Sequence, residues 1–143
     1  MKKNIYLYPH SARGKDVVPN PYLKNMVKSM QKYYTFVNIN HPSNTGIFDI
    51  LKYYLKLDYL MLNWIENLPD KKNGLLQSVF FIILLLITGV TKKKVIWTMH
   101  NKISHDKKYF VIKKLLFKLL ISHCDYVITH SKEGIEYFCL DIF

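Results

Sequence analysis

Short apolar runs alternate with longer stretches of helical periodicity along almost the whole chain. Residues 5–8 form an apolar run closed by Pro9 and predict a strand. After a polar stretch from His10 to Val18, Asn20-Pro21 has the form of a helix start, Asn as N-cap and Pro at the first helical position. Tyr22, Leu23, Met26, Val27 and Met30 recur at helical spacing, with Lys24, Asn25, Lys28 and Ser29 on the other face. Residues 34–39 alternate and are rich in β-formers, which predicts a second strand. Residues 46–57 predict a helix with Phe48, Ile50, Leu51, Tyr54 and Leu55 turned inward. Residues 58–64 predict a third strand, ended by Glu66-Asn67-Leu68-Pro69. An apolar helix over 75–90, a fourth strand over 95–99, an amphipathic helix over 107–123 and a fifth strand over 125–129 follow. Ser131 then caps one more helix.

Strands separated by helices in this way predict a parallel sheet with helices on both faces. Ligands of such sheets bind beyond the carboxyl ends of the strands. Polar residues stand at those places here: His10 and Ser11, Trp64 and Glu66, His100 and Asn101, His130 and Ser131. The apolar stretch 75–90 spans about 24 Å as a helix, short of the ~30 Å hydrocarbon core of a bilayer. It also sits between two strands that a membrane span would separate. The expectation is a helix buried on the sheet, with one face able to touch lipid.

A length of 143 residues suits one domain, and 50% hydrophobic with 22% charged residues excludes a disordered tail. The net charge of +11 draws attention to polyanions: nucleic acid, anionic lipid or phosphate-bearing substrates. Nine lysines fall between Lys92 and Lys118 against one acid, Asp106. No nucleic-acid recognition module or aromatic–basic stacking pattern is present, so no nucleic-acid partner is expected. Lys107, Lys108, Lys113, Lys114 and Lys118, set among Phe110, Val111, Leu115, Phe117, Leu119 and Leu120, could meet an anionic membrane surface, each lysine adding about 1 kcal/mol. The same pattern also fits an ordinary sheet-packed helix whose lysines face water. Cys124 and Cys139 form neither a metal spacing nor a disulfide framework, so no metal is expected and a reducing cytosol is the natural compartment. The basic start, Met1-Lys2-Lys3, lacks the apolar run of a signal peptide, and export is not expected.

The densest chemistry lies in Val95-Ile96-Trp97-Thr98-Met99-His100-Asn101, with His105-Asp106 four residues on. Two imidazoles and a carboxylate around one loop could deprotonate a hydroxyl. They could equally be two surface histidines and an aspartate capping the next helix. Trp97 to Asp106 resembles the W-T-x-H-N-x-x-x-H-E loop of bacterial glycosyltransferases of the GT-B fold, close to glycosyltransferase family 4. Asn20-Pro21-Tyr22 resembles the helix entry after their first strand. Asp58 to Glu66 resembles their D-x-x-x-x-H-W-x-E strand, and Asp125 to Ser131 resembles D-x-V-I-x-H-S. The matches run in the family's order from about Asn20 to Gly134. Two positions depart from the pattern: Asp106 replaces a longer carboxylate, and Asn63 stands where a titratable His is frequent.

The resemblance implies a Rossmann-like N-terminal, acceptor-binding domain over 1–143, one half of a GT-B enzyme. The C-terminal donor-binding domain, which would grip the nucleotide sugar, is not part of this chain, so the chain alone is expected to be inactive. The complete enzyme would move a sugar from that nucleotide donor, its co-substrate, to a glycan or lipid-linked acceptor of envelope polysaccharide synthesis. It needs no other cofactor and would work in the cytoplasm, peripheral to the inner face of the plasma membrane. Catalytic candidates are His105 with Asp106, as an oriented base, and His100. Asn101, Asn20, Tyr22, Trp64, Glu66, His130 and Ser131 are substrate-binding candidates. An alternative is a non-catalytic membrane adaptor that recruits a separate donor-binding subunit.

Overall fold

Parallel strands cannot be joined by a tight turn, so each pair needs a crossover over one face of the sheet. The computed structural model describes residues 2–10, 20–41, 43, 45–100, 108–130, 132 and 134–136. It contains β1 (Lys3–Tyr8), α1 (Pro21–Met30), β2 (Tyr34–Phe36), β3 (Tyr59–Asn63), α2 (Gly74–Val90), β4 (Lys94–Met99), α3 (Phe110–His123) and β5 (Tyr126–Thr129). The five strands form one all-parallel sheet in the order β2-β1-β3-β4-β5. The fold is therefore α/β and Rossmann-like, as expected.

The strand order decides which helix lies on which face. The step from β1 to β2 runs one way along the sheet and every later step runs the other. Right-handed crossovers must then put α1 on one face and the remaining connections on the opposite face. Leu23, Met26, Val27 and Met30 of α1 pack on Ile5, Leu7, Phe36 and Met61. The other face is the larger core, where Tyr6, Leu60, Leu62, Val95 and Trp97 of the strands meet Phe81, Leu84 and Leu85 of α2 and Leu116 and Leu120 of α3.

Aspartates staple the strand entries. Asp58 Oδ2 accepts the Asn4 N–H at 2.8 Å and Oδ1 pairs with Lys3 Nζ at 3.3 Å. Asp125 repeats the device one crossover later, accepting the Val95 N–H at 2.8 Å and pairing with Lys94 at 2.6 Å. The Asn4 amide, then Lys3, hold the Asp58 carboxyl below its usual range. At Asp125 burial works upward, but the Lys94 and Val95 bonds outweigh it. Each carboxylate thus ties the start of its own strand to the neighbouring strand.

Two elements differ from the sequence expectation. Residues 46–57 do not form an α-helix but two tighter turns, Gly46–Lys52 and Tyr54–Lys56. Asp49 accepts from Ser43 Oγ and the Thr45 N–H and pairs with Lys52, so its side chain competes with helical propagation. The inward residues accordingly follow a spacing of three, Ile47, Ile50 and Tyr53, as 3-10 geometry demands. Leu51 and Leu55, expected inside, are 61% and 92% exposed. The second strand stops at Phe36 rather than residue 39. Beyond it the Asn38 side chain continues the ladder, accepting from the Leu7 N–H at 3.0 Å and donating to the Leu7 carbonyl at 2.8 Å.

Helix α2 is buried on one face only. Gly74, Gln77, Ser78, Phe81, Leu84, Leu85 and Thr88 face the protein. Leu75, Leu76, Val79, Ile83, Leu86, Ile87 and Val90 are exposed. Phe81→Ala should therefore destabilise the fold by about 3–5 kcal/mol, the usual cost of emptying a buried aromatic site. Ile83→Ala, one turn-face away, should cost under about 1 kcal/mol. Urea titration of the two variants beside the parent chain checks the contrast.

Candidate functional site

Strand β3 ends in Asn63, which is fully buried. Its Nδ2 donates to the Tyr8 carbonyl at 3.2 Å, tying the end of β3 to the end of β1. That commitment turns Asn63 Oδ1 toward His100, whose Nε2 lies 3.4 Å away. An oxygen there favours the tautomer with hydrogen on Nε2, which leaves His100 Nδ1 as the acceptor. The next residue, Trp64, adopts a left-handed backbone with φ 49°. Such a conformation is costly for a bulky side chain. Here it turns the indole onto the end of β4, where it stacks on the His100 ring at 4.1 Å and 11°.

Helix α1 supplies the third wall. Asn20 Oδ1 accepts the Tyr22 N–H at 2.9 Å, the N-cap bond expected from the sequence, and so fixes the first turn. Tyr22 then meets three rings edge-on: Trp64 at 6.0 Å, His100 at 5.2 Å and His130 at 5.1 Å. His130, just after β5, stands 5.4 Å from His100. Four aromatic or imidazole rings from four separate elements thus converge at the carboxyl edge of the sheet. Burial, helped by the neighbouring His130, lowers the His100 pKa and keeps its ring neutral near neutral pH.

Glu66, in the turn Ile65–Asp70 that follows Trp64, is 3% exposed. Burial pushes its carboxyl up from the ordinary value of 4.5, while its own backbone amide and the Trp97 indole pull the other way. At that exposure it offers a ligand almost no surface. Tyr8 also lines a cavity of about 510 Å³ with His10, Thr45, Phe48, Lys71 and Lys72. His10 Nε2 donates to the Ile39 carbonyl at 2.6 Å, which fixes that wall. A space of this size suits a small molecule or one end of a larger one. Among the described residues no group of three or more His, Cys, Asp or Glu could hold a metal ion.

Of the residues singled out on sequence, Tyr22, Trp64, His100 and His130 come together, and Asn20 holds Tyr22 in place. Asn101, His105, Asp106, Lys107 and Ser131 lie outside the described residues. Lys108, just before α3, and Lys114 and Lys118 on it are exposed. Lys113 is not: it is buried and pairs with Asp70 at 2.7 Å, joining α3 to the turn after β3, so it cannot face a membrane. Asn63 organises the site, although the sequence pattern marked it only as a departure. No protein-family model, curated protein or solved structure matches the chain.

The buried carboxyl gives a pH signature. A folded pKa raised above the unfolded value means that the folded state binds more protons, so Glu66 costs stability as the pH climbs past 4.5. Glu66→Gln should remove that slope and raise the urea midpoint at neutral pH more than at pH values below 4.5. Equal gains at both would show that the carboxyl is not protonated on folding.

Proposed function

We propose that this chain is the acceptor-side domain of a sugar transferase of the GT-B fold. The observation that carries the reading is the convergence of Tyr22, Trp64, His100 and His130 at the carboxyl edge of the sheet. Sugar rings present apolar C–H faces and a rim of hydroxyls. Aromatic faces complement the first, and imidazole nitrogens, which both donate and accept, complement the second. The motif resemblance running from Asn20 to Gly134, which includes these four residues, supports the same reading. The nucleotide sugar is held by a second domain or partner subunit, and the acceptor is a glycan or a lipid-linked glycan.

The acceptor hydroxyl must lose its proton as the sugar carbon is attacked, and a base within about 3 Å serves that step. His105, oriented by Asp106, takes this role in the proposal. His100 positions the acceptor: its Nδ1 is the ring atom left to accept, and its neutral state suits a hydrogen bond to a hydroxyl. Trp64 and Tyr22 supply the apolar wall.

Paired with its donor half, His105→Ala should lower turnover roughly 10²–10⁴-fold. Trp64→Ala should instead raise KM for the acceptor about tenfold, equal to ~1.4 kcal/mol, with little change in kcat. Steady-state kinetics on both variants separate the roles. Unchanged acceptor KM in Trp64→Ala and in His100→Ala would make the ring cluster purely structural. Calorimetric titration of the chain alone should show no tight nucleoside-diphosphate binding, and tight saturable binding would overturn the assignment to the acceptor side.

A further inference from the structure

Helix α2 is built inside out. Successive residues of a helix turn by about 100°, which places all seven exposed aliphatic residues within an arc of roughly 120°. The polar residues of the helix lie on the opposite, protein-facing side. There Gln77 accepts the Ile47 N–H at 3.0 Å and donates to the Lys72 carbonyl at 2.6 Å. Ser78 and Thr88 donate to Gly74 and Leu85 carbonyls in the same helix. A surface helix of a water-soluble fold shows the reverse arrangement. An outward face made only of Leu, Ile and Val is a face that something apolar covers.

The surrounding charge identifies what covers it. Lys71 and Lys72 precede the helix, and Lys92 and Lys94 follow it, all exposed. Helix α3 packs beside α2 and, with Lys108 just before it, adds exposed Lys114 and Lys118 among exposed Phe110, Val111 and Leu115. From residue 71 to residue 124 the sequence holds eleven lysines and a single acid, Asp106. An apolar strip framed at both ends by lysines matches a bilayer interface, where aliphatic side chains enter the acyl region and ammonium groups reach anionic headgroups. A second copy of the chain fits poorly. Two α2 faces packed about a twofold axis would bring like-charged ends together without the carboxylates to neutralise them. The helix spans about 25 Å and cannot cross the ~30 Å core, and no described helix is long and apolar enough to do so.

We infer that the outer face of α2, with the exposed lysines around it, docks the protein in the plane of an anionic lipid bilayer. The inference concerns the outward face of α2 and does not depend on the chemistry proposed for the ring cluster. Vesicle binding therefore reads this face alone.

The test is co-sedimentation of the full chain with phosphatidylcholine vesicles and with vesicles of equal parts phosphatidylcholine and phosphatidylglycerol. The chain should bind both and prefer the anionic ones, with the preference fading as salt rises. Ile83→Glu, at a site 51% exposed, should keep the circular dichroism spectrum and lower binding to both vesicles by at least about tenfold. Lys72→Gln, Lys92→Gln and Lys114→Gln should each lower binding to the anionic vesicles about fivefold and leave the neutral ones unchanged. As a readout on the unmodified chain, amide hydrogen exchange should slow over α2 on adding anionic vesicles but not over α1. Vesicle binding undiminished in Ile83→Glu, or exchange slowed over α1 alone, overturns the inference. So does a chain that ignores vesicles and instead forms a dimer that Ile83→Glu disperses.

Discussion

Strand β3 is the constraint on which the site depends. Leu60, Met61, Leu62 and Asn63 are all buried, because β1 and β4 flank the strand and helices cover both its faces. A strand so enclosed cannot end on an open polar group without a partner. Asn63 meets this requirement by donating to the Tyr8 carbonyl, which also aligns the ends of β1 and β3. The chain must then leave the sheet abruptly, and Trp64 does so in a left-handed conformation. The indole is thereby delivered onto His100, and the rest of the ring cluster assembles around that stack. A histidine at position 63 would bring a titratable ring into the same enclosed space, and burial would oppose its charged form. Asparagine supplies the donor without that coupling.

The architecture was legible because its signals are periodic and redundant. Five strands, three helices and the cap at Asn20 all follow from hydrophobic spacing and one N-cap rule. The failures are local and share a cause. In residues 46–57 the apolar positions also suit a spacing of 3.6, but Asp49 bonds to the preceding loop and the chain follows a spacing of three. That changed which leucines are inside. In residues 34–39 alternation suggested a longer strand, whereas one side chain, Asn38, finishes the ladder in place of the backbone. Side chains that bond to backbone groups leave no periodic trace, and neither does a buried ion pair. Lys113 read as one more surface lysine until its partner Asp70, forty-three positions earlier, came beside it. At the site, Trp64, His100 and His130 are marked by position after strands and by resemblance, and Tyr22 by resemblance alone. Asn63 was undervalued because the pattern compared it with a ligand-facing residue rather than asking what a buried strand end requires.

The N-terminal end of α2 relates its apolar face to the ring cluster. The helix follows the turn Ile65–Asp70 that leaves the end of β3, so its first residues stand at the same sheet edge as Trp64 and His100. Lys71 and Lys72 therefore belong to two surfaces at once: they line the cavity beside Tyr8 and His10, and they frame the apolar face. A bilayer against that face would bring its headgroup region to the mouth of this cavity. An acceptor carried on a lipid phosphate would then leave its tail in the acyl region and its anionic group near the two lysines. Its sugar would extend toward the aromatic rings. A fully soluble acceptor would make no use of an inside-out helix at this edge. The proposed docking face and the proposed sugar site thus constrain one another, and together they favour the lipid-linked class of acceptor over a free glycan.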